Sequence, residues 1–152
     1  MDLYTPASLA GYTGRIIGQS AWITLDQTRI DDFARCTGDR QLIHVDRMRA
    51  RDESPFGSTV AHGFLTLSLL APTLFELVLS RVAVRQVVNY GLDKVRFLAP
   101  VRSGRRVRNN IRVLAVENRG QGSHLLTPEH TVEIEHEIKP ALVAVSLACL
   151  ME

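Results

Sequence analysis

The sequence predicts an α+β fold, a curved antiparallel sheet wrapped around one long and very apolar helix. Two observations carry this. Over residues 63–79 apolar side chains take most positions, with Thr66, Ser68 and Thr73 as small polar exceptions, the pattern of a helix enclosed by protein on most sides. After Val84 come four segments rich in Val, Ile and Leu, at residues 84–97, 106–116, 124–137 and 141–150. Successive strands with short connections favour antiparallel pairing, and a helix that apolar needs a large surface to bury it.

Taken in order, the first forty residues predict a short helix near 8–12, a strand over 21–24, and an amphipathic helix opening after Asp26 or Thr28. Ile30, Phe33 and Ala34 stand at its spacings of three and four, and Gly38 closes it. Residues 39–57 show no sustained period and carry Pro55 and Gly57, so they read as a loop with one helical turn at 47–51. Pro72 should kink the apolar helix, because proline lacks an N–H and clashes with the preceding turn. In the second half Thr131, Val132, Glu133, Ile134 and Glu135 alternate cleanly, and Pro100, Gly104, Gly120, Gly122 and Pro140 punctuate the strands.

A chain of 152 residues with no repeat, linker or low-complexity tract reads as one domain over 1–152. At this size roughly 70% of the unfolded surface can be buried without disulfide or metal support. Eighteen Lys and Arg against sixteen Asp and Glu leave a net charge of +2, too even for a dedicated nucleic-acid or membrane-surface binder. Cys36 and Cys149 are far apart and outside any ligand spacing, which suits free thiols in a reducing compartment. Residues 1–8 lack a basic region followed by an apolar one, so a cytoplasmic protein is expected. The apolar run, interrupted by Pro72 and Glu76, reads as short for a bilayer span.

The chemistry-bearing segment is Thr37-Gly38-Asp39-Arg40-Gln41-Leu42-Ile43-His44-Val45-Asp46, followed by Phe56-Gly57-Ser58-Thr59-Val60-Ala61-His62-Gly63. A carboxylate and an imidazole five residues apart on a turning loop can converge on one small molecule such as water. Gly63 opens the apolar helix, where the first N–H groups have no internal acceptor, and a glycine there admits a ligand close to the backbone. The bland alternatives are a turn-stabilising Asp39, a merely packed His44 and a Gly63 kept for tight helix packing. Asp46 reads as a cap and His62 as a structural hydrogen-bonding residue. His124, His130 and His136 have no ligand spacing and are expected at the surface. Arg102, Arg105, Arg106, Arg108 and Arg112 read as a solvated strand face, with the phosphates of a nucleotide as the alternative partner.

These segments resemble the MaoC-like dehydratases, the (R)-specific enoyl-CoA hydratases of the hot-dog fold, including short members of the nodulation protein N type. The family pattern is close to T-G-D-x-N-P-I-H-x-D and then F-G-x-x-I-A-H-G. Thr37, Gly38, Asp39, Ile43, His44 and Asp46 match it, as do Phe56, Gly57, Ala61, His62 and Gly63. Gln41-Leu42 replaces the family's Asn-Pro. The resemblance continues more weakly through Asn89-Tyr90-Gly91-Leu92 and residues 95–101, which look like the family's next strand.

The resemblance implies reversible addition of water to a trans-2-enoyl-CoA, giving the (R)-3-hydroxyacyl thioester. By matching position, Asp39 and His44 would hold and activate the water, and the Gly63 N–H would bind the thioester oxygen. His62, Asn89, Tyr90 and Gly91 would complete the oxyanion and substrate-binding set. No metal and no redox cofactor is implied, CoA being part of the substrate, and a homodimer paired edge to edge is expected. Two rival readings accompany it: a hot-dog acyl-CoA thioesterase, and a non-catalytic acyl-thioester binding protein.

Overall fold

The computed structural model describes residues 3–152; Met1 and Asp2, which begin the segment read for a leader, lie outside it. Helix α1 spans Pro6–Ala10, two residues earlier than expected, because Thr5 and Ser8 close a reciprocal capping box around Pro6. Two short strands follow, β1 (Ile16–Gln19) and β2 (Ile23–Leu25), of which only the second was expected. Helix α2 (Gln27–Thr37) opens where Asp26 accepts the Arg29 N–H at 2.9 Å. It closes at Gly38, whose φ of 84° is the left-handed cap conformation that favours glycine.

The segment expected to be mostly loop contains two helices, α3 (Leu42–Val45) and α4 (Arg47–Glu53). Asp46 caps α4 by accepting the Arg49 N–H. The apolar stretch forms α5 (Gly63–Ser68) and α6 (Leu70–Leu77), followed by a 3-10 turn at Leu79–Arg81. The interruption at Leu69 follows from Pro72. The acceptor four residues before Pro72 is the Ser68 carbonyl, which ends α5 and finds no proline N–H to pair with.

Four long strands complete the chain, β3 (Gln86–Phe97), β4 (Arg105–Gly120), β5 (Ser123–Ile134) and β6 (Leu142–Met151). The sheet is antiparallel, in the order β1-β4-β5-β6-β3, with β2 pairing β4 alongside β1. Strand β3 therefore forms one edge. Its register against β6 shifts at Asn89/Gly91 and again at Leu92/Lys94, so Tyr90 and Asp93 are extra residues that bend the edge strand. A third shift, at Val113/Ala115, lies opposite Pro128, where a bulge accommodates a residue that cannot donate to the ladder.

The helices fill the concave side of the sheet. Leu65, Leu69 and Leu70 pack with Leu25, Ile30, Val107, Val132, Ile134 and Leu142, while Leu74 and Val78 pack with Leu9, Ile111, Leu126, Ala148 and Leu150. A polar row separates these two apolar groups. It consists of Thr73, Asn109, His130 and Ser146, joined by hydrogen bonds. His130 is thus a correction: it was expected at the surface and is completely buried. It shares the parity of Val132 and Ile134 on β5 and so faces inward. His124 is half-buried and only His136 is open to solvent.

On the convex face Arg106, Arg108 and Arg112 are opposed across the strands by Glu135, Glu133 and Glu129, and Trp22 lies under Arg108 at 4.4 Å. For these three this is the solvated strand face expected; Arg102, expected on it as well, precedes β4 and donates to the Phe56 carbonyl, and Arg105 stands at the start of β4 with the parity of buried Val107. Cys36 and Cys149 are free thiols. The run Gly63–Arg81 has 19 residues and meets the length and apolarity of a membrane span, so the expectation that it is too short is corrected. Its burial against the sheet, through Leu65, Leu69, Leu70, Leu74 and Val78, is what gives it an interior role here.

Candidate active site

The turn after α2 carries Asp39. Gly38 donates its N–H to the Ala34 carbonyl and the Thr37 hydroxyl donates to the Phe33 carbonyl, so the chain leaves the helix at a fixed angle. The Asp39 carboxylate accepts the Gln41 N–H at 3.4 Å, closing a turn with the same side chain that faces the site. Helix α3 then presents His44. Its N–H and that of Val45 both donate to the Gln41 carbonyl, so a helical turn supplies the order here in the stretch where the family has Asn-Pro.

His44 is 8% exposed, and its Nδ1 lies 2.7 Å from the Val60 carbonyl oxygen. A carbonyl only accepts, so Nδ1 carries the proton and the neutral ring presents a lone pair at Nε2. Burial pushes the His44 imidazole below its ordinary value; the Val60 hydrogen bond opposes this, His62 adds to it, and Asp39 pulls upward. Buried Gln27 donates to the His44 carbonyl at 2.7 Å and accepts from the Thr59 hydroxyl, holding the turn from behind.

His62 is buried and stacks on His44, with ring centroids 3.9 Å apart and planes at 24°. Its Nε2 donates to the Asp39 carbonyl at 2.9 Å, while its Nδ1 has no partner. One donor atom from each of Asp39, His44 and His62 lies within 4.8 Å of the other two. His44 Nδ1 and His62 Nε2 are both committed to backbone carbonyls, which leaves one free nitrogen on each ring for proton chemistry beside the Asp39 carboxylate.

His44 and Gly63 line one hollow of about 310 Å³, together with Thr66 and Phe97. As the first residue of α5, Gly63 has an N–H with no acceptor inside the helix. A Cβ at Gly63 would stand 3.0 Å from two atoms of the Phe97 ring, so glycine also serves packing at this point. Asp39 lines a neighbouring groove of about 430 Å³ with Phe33, Phe64, Leu67 and Ser68. The two candidates thus meet at the border between two hollows, with Gly63 on one side and Phe64 on the other.

Asn89, Tyr90 and Gly91 are not brought to His44. They line a third cavity of about 340 Å³, which shares Leu67 and Ser68 with the Asp39 groove and has Ser146 in its wall. Tyr90 is 70% exposed, as the bulged residue of an edge strand. Sequence reasoning missed Gln27, the Val60 carbonyl, Phe97 and Ser146. The first three leave no mark in one sequence, because their roles arise from contacts distant along the chain. Ser146 could have been found, since it is a lone hydroxyl in an apolar strand.

Comparison with known proteins bears on the family and the fold. The MaoC like domain matches residues 9–134. The chain is 49% identical over 138 residues to nodulation protein N of Rhizobium leguminosarum bv. viciae, covering 91% of this chain and 86% of that protein. It is 48% identical over 141 residues to 3-hydroxyacyl-thioester dehydratase Z of Mycobacterium tuberculosis, covering 93% and 92%. The X-ray structure of a monoamine oxidase regulatory protein from Archaeoglobus superimposes with a TM-score of 0.80 at 25% identity, over 99% of this chain and 97% of that one. A hot-dog fold whose turn and helix start carry this motif, matched by the domain over most of its length, places the chain in the MaoC-like dehydratase family.

Proposed function

We propose that this protein catalyses the reversible hydration of a trans-2-enoyl-CoA to the (R)-3-hydroxyacyl-CoA. The observation that carries the reading is the approach of the Asp39 carboxylate to a buried His44 whose Nδ1 is committed to Val60, beside the first amide of α5. In the hydration direction a water held between Asp39 and His44 loses a proton to His44 Nε2 as its oxygen bonds to C3. The double-bond electrons move to the thioester oxygen, which accepts the Gly63 N–H. The proton then passes to C2, and the enzyme returns to its starting state. Asp39 favours the transient imidazolium by its charge, in the direction it already pulls the His44 equilibrium.

This reaction moves water and a proton and changes no oxidation state overall, so it calls for no redox cofactor; in this reading Asp39 and His44 activate the water themselves, without a metal, and CoA enters with the substrate. The relative named 3-hydroxyacyl-thioester dehydratase Z supports this substrate class. The free thiols fit a reducing cytoplasm. Adding crotonyl-CoA and following loss of the enoyl-thioester absorbance tests the reading. Asp39→Asn and His44→Gln should each lower turnover by about 100-fold or more while remaining folded. Near-normal rates in either variant would refute it, and release of free CoA thiol in place of hydration would indicate a thioesterase.

The acting unit in this reading is a homodimer joined along β3. That edge strand exposes Val88, Tyr90, Leu92 and Phe97, and Phe64 and Phe75 of the helices are exposed as well. An open apolar edge of this kind needs a cover.

A further inference from the structure

The polar row that divides the core has a direction, and it ends in a cavity. The Thr73 hydroxyl donates to the Leu69 carbonyl at 2.7 Å, so toward Asn109 it can only accept. The group facing it at 2.8 Å is accordingly the Asn109 amide nitrogen. The same nitrogen lies 3.0 Å from His130 Nδ1, which must be the unprotonated ring nitrogen. His130 therefore carries its proton on Nε2 and donates it to the Ser146 oxygen at 2.8 Å. Ser146 is left with its own hydroxyl proton uncommitted, in the wall of the cavity formed with Leu67, Leu70, Ala71, Leu74 and Leu92.

Each link is needed to orient the next, and the row costs the core its continuity. Asn109 and His130 are buried and the Asn109 amide oxygen has no partner, an arrangement that apolar residues of similar size would avoid. What the row delivers is one oriented donor in a hollow that is otherwise mainly apolar. The hollow shares Leu67 and Ser68 with the groove of Asp39, so a chain extending from the reacting carbons along α5 enters it.

We infer that Ser146 is a specificity-determining residue that donates a hydrogen bond to an oxygen on the acyl chain, so that the preferred thioesters carry an oxo or hydroxyl group remote from the reacting double bond. This rests on the hydratase reading for the identity of the ligand as an acyl thioester. A plain hydrocarbon would leave the Ser146 proton unpaired. An acyl chain with a matching acceptor satisfies it, and selectivity of this kind comes from the site's polar group as much as from the ligand's.

Binding of saturated acyl-CoAs, which cannot undergo hydration, tests the inference apart from catalysis. Titration calorimetry would compare octanoyl-CoA with a series of octanoyl-CoAs bearing one oxo group at successive carbons beyond C4. At least one should bind about tenfold more tightly than octanoyl-CoA. Ser146→Ala should bring that ratio to about one, chiefly by tightening the plain chain and weakening the oxo chain. Ser146→Thr, which keeps the hydroxyl, should restore it, and Ser146→Cys serves if the alanine variant fails to fold. Equal affinity for every chain in the wild type, or an unchanged preference in the alanine and cysteine variants, overturns the inference. Crotonyl-CoA hydration by the wild type, measured alongside, separates the two readings: hydration without oxo preference removes only this inference, and oxo preference without hydration removes only the hydratase.

Discussion

His44 shows how one buried contact sets chemistry. Its Nδ1 is held by a carbonyl that the sequence places sixteen residues downstream, and that contact decides which nitrogen is left free to act as the base in the proposed reaction. Burial lowers its proton affinity, so the basic form persists further into acid than it would in a free imidazole. For hydration the neutral ring is the active form. The acid limb of the kcat/KM profile should therefore have its midpoint below about 6.5, with the rate falling as pH drops through it. A pH profile with crotonyl-CoA measures this, and a midpoint above 6.5 would show that another group is the base. The candidate residues were legible through the longer motif that resembles the family's, Asp39 and His44 followed by Ala61-His62-Gly63; taken alone, Asp39 reads as a turn residue and His44 as a packed one. The order of the tautomers was not legible.

Among the elements, the stretch between α2 and α5 departed most from expectation. A four-residue helix such as α3 has no amphipathic period to read, and it forms because its start is fixed at Gln41 and its end leads straight into the cap of α4. Asp46 is a test of that local logic. As the N-cap of α4, its replacement by alanine should cost about 1 kcal/mol in urea unfolding while leaving kcat within a factor of about three. A loss near that of Asp39→Asn would instead place Asp46 in the chemistry. The break between α5 and α6 was foreseen from Pro72. Strand β1 was missed because its four residues, Ile-Ile-Gly-Gln, include a glycine that allows Leu77 to pack within 3.1 Å of the position a Cβ would occupy, a close approach visible only after folding.

For the whole molecule, the polar row is a liability under acid conditions. Burial pushes His130 down to about 4 from an ordinary 6.5. The unfolded chain thus takes up a proton first as pH falls, and folding stability is full above about 6.5 and declines toward pH 4. At about 1.4 kcal/mol for each unit, the loss across that window is on the order of 3 kcal/mol. Urea unfolding at pH 7 and at pH 4.5 should show most of it, and His130→Gln should flatten the dependence even if it lowers stability throughout. The assembly is tested at the same scale. Sedimentation should give twice the 16.9 kDa chain mass, and Val88→Arg on the β3 edge should shift the protein to monomer. A wild type that sediments as a monomer would remove the dimer from the proposed function.

By itself the sequence determined the apolar helix and the four long strands and singled out the candidate pair Asp39 and His44, because each rests on local pattern: hydrophobic period, turn residues and, for the pair, the motif that resembles the family's. Only the tertiary structure decided that His130 lies inside and that Asn89 to Gly91 serve a cavity apart from His44. It also revealed that a hydrogen-bonded row reaches Ser146 through three strands and a helix. These depend on which residues meet across sheet and core, and a chain read along its length carries no distance between strands.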